Sequence, residues 1–291
     1  MVQSAVFNDW LFRYGYIYRY RLSDRSKRKF LKALVMDIAQ IRKDIQVIEY
    51  DQQRKAVSRN VYVGDIATAK RVICTYYDTP PQHVGDYPFF DRQKQGRQTT
   101  RFISISTLVT IFIGLSVTWF YSQNTPKDLV FFSWPMFFIA FAFALYFIFL
   151  SRVTKGMLRQ RNLTRNTSSV LALLLLIQNN ARKDTAFAFI DEGSYGERGL
   201  EVLLDSTNEK ATIFYLDSIG AKAPLHALGK GFDIEELTRL GITHGVSQKN
   251  KISYVFSGDQ KENNHYYLSK KALRQKEMNT ENLNKVIALF Q

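Results

Sequence analysis

In this 291-residue chain, four carboxylates stand at the ends of strand-like stretches. Asp78 follows Arg71–Tyr77, Asp191 closes Thr185–Asp191 with Glu192 beside it, and Asp217 follows Thr212–Leu216. Open α/β sheets build their sites outside the carboxyl ends of strands, so these positions are where chemistry would be held. Such carboxylates ligate a cation or move a proton, or they cap strand ends and hold local hydrogen bonds. A co-catalytic metal pair asks for more: about five ligands in two overlapping shells, a shared carboxylate and a base for its water. The four histidines, His83, His226, His244 and His265, show no metal-ligand spacing. Cys74, the single cysteine, lies inside an apolar strand pattern and reads as a small buried hydrophobe, which excludes a disulfide framework or a Cys-rich zinc module. No Gly-rich phosphate loop or nucleic-acid motif is present, and no nucleic-acid partner is expected.

The elements that must position these residues alternate in type. Arg25–Arg42 carries Phe30, Leu31, Leu34, Val35, Ile38 and Ile41 at helical spacing, with Ser23 or Asp24 as N-cap. Strand patterns follow at Ile45–Tyr50, Ala56–Val63 and Arg71–Tyr77, then at Thr185–Asp191, Thr212–Leu216 and Ile252–Phe256. Helical patterns occupy Thr167–Asn180, Glu235–Leu240, Leu268–Glu277 and Glu281–Phe290. Strands interleaved with helices predict an α/β layered domain, three layers deep, around a mostly parallel mixed sheet. The eight-residue apolar run Val170–Ile177 is too short to cross a bilayer and reads as a buried helix.

Between those halves the composition changes. Ile103–Tyr121 holds no charge in 19 residues and Val130–Leu150 none in 21. As helices they would be roughly 28 and 31 Å long, the thickness of a bilayer's hydrocarbon core. Trp119, Tyr121 and Trp134 sit toward the shared loop, as interfacial aromatics do, and Pro135 falls in the second helix's first turn. The flanks carry Arg92, Lys94, Arg97, Arg101, Arg152, Lys155, Arg159, Arg161 and Arg165, against Lys127 alone in the connecting loop. This asymmetry predicts a two-span hairpin in the cell membrane with both termini and the α/β domain cytoplasmic. The expected organisation is an aromatic N-terminal segment (1–22), one discontinuous α/β domain (23–100 and 151–291) and an inserted hairpin (101–150).

The net charge of +14 therefore reads largely as a topology signal, and the mean hydropathy of −0.20 averages two membrane helices with a polar domain. Lys27-Arg28-Lys29 and Arg42-Lys43 read as a solvated helix face that could meet anionic headgroups. Phe7 to Tyr20 holds seven aromatics and no secretory h-region. It reads as a strand or irregular segment packed on the domain, or as an interfacial anchor.

Five strings in order, spanning roughly residues 45 to 290 outside the hairpin, resemble the co-catalytic di-zinc exopeptidases of the bacterial leucyl-aminopeptidase type. Arg59–Gly64 and Arg71–Thr79 look like that family's entry strands, the second of which ends there in His-x-Asp. Here the string is Tyr76-Tyr77-Asp78: the orienting aspartate matches and the zinc-binding histidine does not. Arg165–Val170, running into Leu171–Ile177, is similar to the segment bearing the family's bridging aspartate, whose place Arg165 takes. Phe187–Gly199 keeps a strand and a Gly-x-x-Gly, with Gly193 and Ser194 in place of the two glutamates. A register slip of two would bring Asp191 and Glu192 there instead. In Phe214–Gly220, Asp217 matches a ligand, and the last ligand, a histidine, falls near Ser269, with His265 close but out of register.

The resemblance thus implies a degenerate member: a peptidase scaffold with vestigial positions Tyr76, Asp78, Arg165, Gly193, Ser194, Asp217 and Ser269, residual metal candidates Asp78, Asp217 and Glu192, and no cofactor. Nicastrin and the transferrin receptor set the family's precedent for such use. The implied role is a membrane-anchored, inactive binding or scaffold subunit, with the lipid bilayer and another membrane protein or a peptide as partners. The alternative is an active zinc aminopeptidase at the membrane, using Asp78, Asp191, Glu192, Asp217 and a displaced histidine. A reporter cysteine at Gln123 tests the orientation: an impermeant thiol reagent should label it from outside, and labelling from the cytoplasmic side alone would overturn it.

Overall fold

The computed structural model describes residues 4–53, 56–124, 133–157, 162–180, 182–194, 196–246, 251–261 and 265–291. In chain order the elements begin with α1 (Ala5–Phe12), a π-helical turn (Arg13–Ile17) and α2 (Asp24–Ala39). Next come β1 (Ile45–Gln53), β2 (Ala56–Val63), β3 (Arg71–Tyr76), β4 (Tyr87–Pro88), α3 (Arg92–Asn124) and α4 (Trp134–Thr154). A second π-turn (Leu163–Thr167) leads into α5 (Ser168–Asn179), β5 (Thr185–Ile190), α6 (Arg198–Ser206) and β6 (Thr212–Asp217). The chain ends with β7 (Leu225–Leu228), α7 (Ile234–Leu240), β8 (Thr243–Gly245), β9 (Ile252–Ser257), β10 (Asp259–Lys261), β11 (His265–Leu268), α8 (Lys270–Leu273) and α9 (Thr280–Phe290). Two units form: Met1–Pro80 with Asp86–Arg92 and Gln160–Gln291, and Pro81–Gly85 with Gln93–Arg159.

The first unit has the expected α/β class of fold and takes in the N-terminal aromatic segment. Its eight-stranded sheet has the order β1-β2-β5-β3-β6-β9-β7-β8, and β4, β10 and β11 make a small second sheet. The central run β5-β3-β6-β9 is parallel, flanked by antiparallel pairs. Alternation along the strands divides the core. Ile73, Phe187, Phe189, Phe214 and Leu216 pack with α1, α2, α5, α7 and α9 on one face. Val72, Cys74, Ala188 and Tyr215 pack with α6 on the other. The layers are therefore helix, sheet, helix. The apolar run of α5 is buried on every side, as a helix without a polar face must be.

Ser23 caps α2, its hydroxyl accepting from the Ser26 amide at 3.3 Å. The N-terminal aromatics from Phe7 to Tyr16 are helical rather than a strand or irregular segment. Their every-second-residue spacing from Phe12 to Tyr20 imitates a strand, but Phe7, Trp10 and Tyr14 share one helical face and are buried in the core. The expected helix Leu268–Glu277 shrinks to α8, because Leu268 closes β11 and pairs with Tyr87 of β4. The short strands β4, β7, β8, β10 and β11 and helix α6 have no counterpart in the predicted elements.

The second unit is a helical hairpin. Both α3 and α4 are long and apolar enough to span a membrane, and most of their large side chains, Leu108, Phe112, Trp119 and Phe137 among them, are exposed. The helices touch where Gly114 leaves room: a Cβ there would lie 2.3 Å from the Tyr146 hydroxyl, which donates to the Thr110 carbonyl at 3.1 Å. Residues 125–132, which include Lys127 and the start of the second expected span, fall outside the described residues.

Candidate functional site

Parallel registry aligns the carboxyl ends of β3, β5 and β6, pairing Tyr76 with Ile190 and Cys74 with Tyr215. Tyr76, Asp78, Asp191 and Asp217 therefore emerge at one end of the sheet, and all four are buried. They are joined there by Arg165 from the second π-turn, which is 2% exposed.

Arg165 organises the first half of the site. Its Nε donates to the Tyr76 hydroxyl at 3.1 Å, and that hydroxyl donates in turn to Asp217 Oδ1 at 3.2 Å. Ser218 Oγ donates to the same oxygen at 2.9 Å, and the Tyr87 hydroxyl to Oδ2 at 3.4 Å. The guanidinium lies 3.7 Å from the centre of the Tyr87 ring, a cation–π contact. The Ser218 amide donates to the Arg165 carbonyl at 3.0 Å, fixing the turn against the end of β6. Burial raises the Asp217 pKa, and the Arg165 charge and the Ser218 hydrogen bond offset this only in part. Burial also pushes the Tyr76 pKa well up, so its phenol stays neutral and can accept from the cation while donating to the carboxylate.

Asp78 organises the second half. It accepts from the Gly193 amide at 2.9 Å, from the Ser194 amide at 3.1 Å and from the Ser194 hydroxyl. Gly193 must be glycine, because a Cβ would fall 2.2 Å from the Tyr76 Cβ. Asp191 pairs with Lys27 at 2.6 Å, both ends buried, and accepts from the Glu192 amide at 2.8 Å. Glu192 has a left-handed backbone (φ 57°), and Ser58 donates to its carboxylate. Burial raises the Asp78 pKa from 3.8 to about 6, helped by the neighbouring Asp191 charge and opposed by Lys27.

Two further arginines complete the arrangement. Arg21 is fully buried, donating through Nη2 to Asn166 Oδ1 at 2.5 Å and to Thr167 Oγ1 at 3.0 Å. Asn166 donates to the Tyr76 carbonyl at 2.7 Å, which ties this arginine to the site. Burial without a contacting carboxylate pushes the Arg21 pKa down to about 10. Arg92 reaches the Gly193 carbonyl at 3.2 Å and Glu197 at 3.4 Å.

The structure thus brings Tyr76, Arg165 and Asp217 together, with Asp78, Gly193 and Ser194 adjoining through Tyr76. Ser269 does not join them: its hydroxyl caps α8, accepting from the Ala272 amide at 3.2 Å. His265 is exposed on β11. Three expectations need correction. Lys27 is not part of a solvated face, since its position three and seven residues before Phe30 and Leu34 puts it on the buried side of α2. Arg92 and Arg165 are not simple membrane flanks, because both are held in the α/β unit by the contacts above. Arg159 and Arg161 lie outside the described residues. Arg21 and Tyr87 were not anticipated, as neither lies in an apolar repeat or a recognisable motif.

No family model and no curated protein matches the sequence. Solved structures do match. A Zn-dependent exopeptidase from Parabacteroides distasonis superposes with a TM-score of 0.51 at 13% identity, covering 94% of this chain and 91% of that one. This chain shares that protein's fold. Glutaminyl cyclase from Porphyromonas gingivalis (11% identity, TM-score 0.46, covering 94% and 91%) and LapB from Legionella pneumophila (12%, 0.47, covering 94% and 67%) are further matches.

The side chains at this end of the sheet do not fit a pair of zinc ions. No group of three or more His, Cys, Asp or Glu converges among the described residues. Both Asp217 oxygens already accept hydrogen bonds from protein groups, and Arg165 would repel a dication at short range.

Asp78 makes the site's pH dependence testable. Its folded pKa is raised, so the stability it contributes is fully present below about pH 4 and is lost as pH rises through about 6. Relative to Asp78→Asn, the wild-type protein should lose thermal stability across that window. A constant difference between the two from pH 4 to 7 would contradict the assignment.

Proposed function

We propose that this protein is a membrane-anchored, catalytically silent peptidase-like subunit that binds a protein or peptide partner at the cytoplasmic face. The observation that carries this reading is the Arg165–Tyr76–Asp217 arrangement. In the resembling peptidases, the position of Arg165 holds a bridging carboxylate and that of Tyr76 a histidine ligand. Here a cation and a phenol take those places and hydrogen-bond to each other. Asp191 and Glu192, the acidic pair that a register slip would bring to the position of the missing glutamates, are engaged by Lys27 and Ser58. A carboxylate tied to a lysine at 2.6 Å is a poor general base, because accepting a proton would break the ion pair.

The anchoring part of the proposal rests on α3 and α4, whose length and composition suit a bilayer. With the hairpin inserted between Arg92 and Gln160 in sequence, the α/β unit would be tethered at both ends of the excursion.

Metal analysis and activity together test the proposal. Full-length protein purified in detergent without chelators should carry zinc far below one equivalent. It should also release no product from aminoacyl-nitroanilides, alone or with added zinc. Near-stoichiometric zinc that disappears in Asp217→Ala, accompanied by hydrolysis, would establish the active-aminopeptidase reading instead.

A further inference from the structure

The N-terminal helices present a face that neither the core nor the candidate site uses. While Phe7, Trp10 and Tyr14 turn inward, Phe12, Tyr16 and Ile17 turn outward at 58%, 59% and 56% exposure. The Phe12 and Tyr16 rings lie 6.0 Å apart on this outer side. The π-turn carrying Tyr16 and Ile17 is fixed against α2: Tyr14 packs edge-on against Phe30 at 5.4 Å, and Arg13 pairs with Asp37 at 2.9 Å. On α2 itself, Arg25, Lys29, Lys32 and Met36 follow the i, i+4, i+7, i+11 stripe of one helix face, and all are exposed.

The charges around this face are uneven. Asp9 is paired with Arg13, Asp37 with Arg13 and Tyr14, and Asp24 with Arg28 and Arg59. Every carboxylate of α1 and α2 is thus matched within the fold, while Arg25, Lys29 and Lys32 enter no ion pair among the described residues. An outward aromatic and aliphatic cluster and an exposed, uncompensated cationic stripe, carried by two elements packed on each other through Tyr14 and Phe30, have the chemistry of a surface suited to a lipid interface. Rings suit the headgroup boundary, and the cations suit an acidic leaflet.

We propose that the outer face of α1, the π-turn and α2 docks onto an anionic bilayer surface, as a second membrane contact in addition to the hairpin. The inference rests on the membrane-anchored reading above. The tether makes a weak surface sufficient: a linked domain meets its membrane at an effective concentration on the order of millimolar. Docking would then set which side of the α/β unit remains open to a partner.

The test uses the full chain in nanodiscs of phosphatidylcholine alone or mixed with phosphatidylglycerol. Spin labels are placed at Tyr16→Cys or, as a membrane control, Leu115→Cys, and collision with oxygen and with a water-soluble nickel chelate is measured. The proposal expects the label at position 16 to become oxygen-accessible and nickel-protected in the anionic discs. That protection should be lost in high salt or on Arg25→Glu/Lys29→Glu/Lys32→Glu. A label at 16 that stays nickel-accessible in both lipids, while the one at 115 is lipid-exposed, would overturn docking and leave the anchor standing. A label at 16 shielded from both reagents would mean a protein covers the face, which also overturns it. Nickel access at 115 would refute the membrane reading itself.

Discussion

A buried guanidinium bridged by a phenol to a buried carboxylate is the constraint around which the sheet end is built. Removing either charge from water costs several kcal/mol per ion, so neither Arg165 nor Asp217 is tolerable there alone. Tyr76 supplies the link, accepting from one and donating to the other, and the Tyr87 ring covers the cation. The same logic extends outward. Lys27 answers Asp191, Arg92 answers Glu197, and Asp78 draws its partners from the Gly193 and Ser194 backbone. In the resembling metallo-peptidases two zinc ions would supply positive charge to such a cluster of acids. On the proposed reading, Lys27, Arg92 and Arg165 supply that charge from side chains in this chain.

Close packing at this end of the sheet shows in several local features. Glycine at 193 admits the Tyr76 side chain, and glycine at 199 clears the Asp191 carbonyl, which a Cβ would meet at 2.1 Å. The left-handed residues Glu192 and Ser218 each follow a strand-end aspartate and turn the chain back over the site. Strand β4 is brief, yet its Tyr87 reaches Asp217 while its backbone pairs with β11. Asp86–Arg92 consequently belongs to the α/β unit, although it stands in sequence at the entrance to α3.

Much of this was legible in the sequence, for reasons that differ by element. Long apolar repeats, such as those of α2, β3, β5, β6 and α9, announce themselves through periodicity, and the strand-end positions of Asp78 and Asp217 follow. The short strands β7, β8, β10 and β11 have three or four residues each, too few for alternation to register. The site's cations were the hardest to read. A lysine or arginine carries no sign of its burial, and Arg92 and Arg165 lay where the positive-inside rule already explained them. Lys27 reads as solvated with its basic neighbours, although its spacing from Phe30 and Leu34 places it on the buried side of α2. Tyr14 and Tyr16 show the same limit in reverse: adjacent in pattern, one is core and the other surface, and only the π-turn decides which.

Arg165 and Asp217, joined through Tyr76, should behave as one energetic unit. A double-mutant cycle measures this directly, from unfolding free energies of the wild type, Arg165→Met, Asp217→Asn and the double variant in the same detergent. Coupling of about 1–3 kcal/mol is predicted, with the double variant less destabilised than the sum of the singles. Additivity within about 0.5 kcal/mol would show that the two charges do not depend on each other, and would contradict the account.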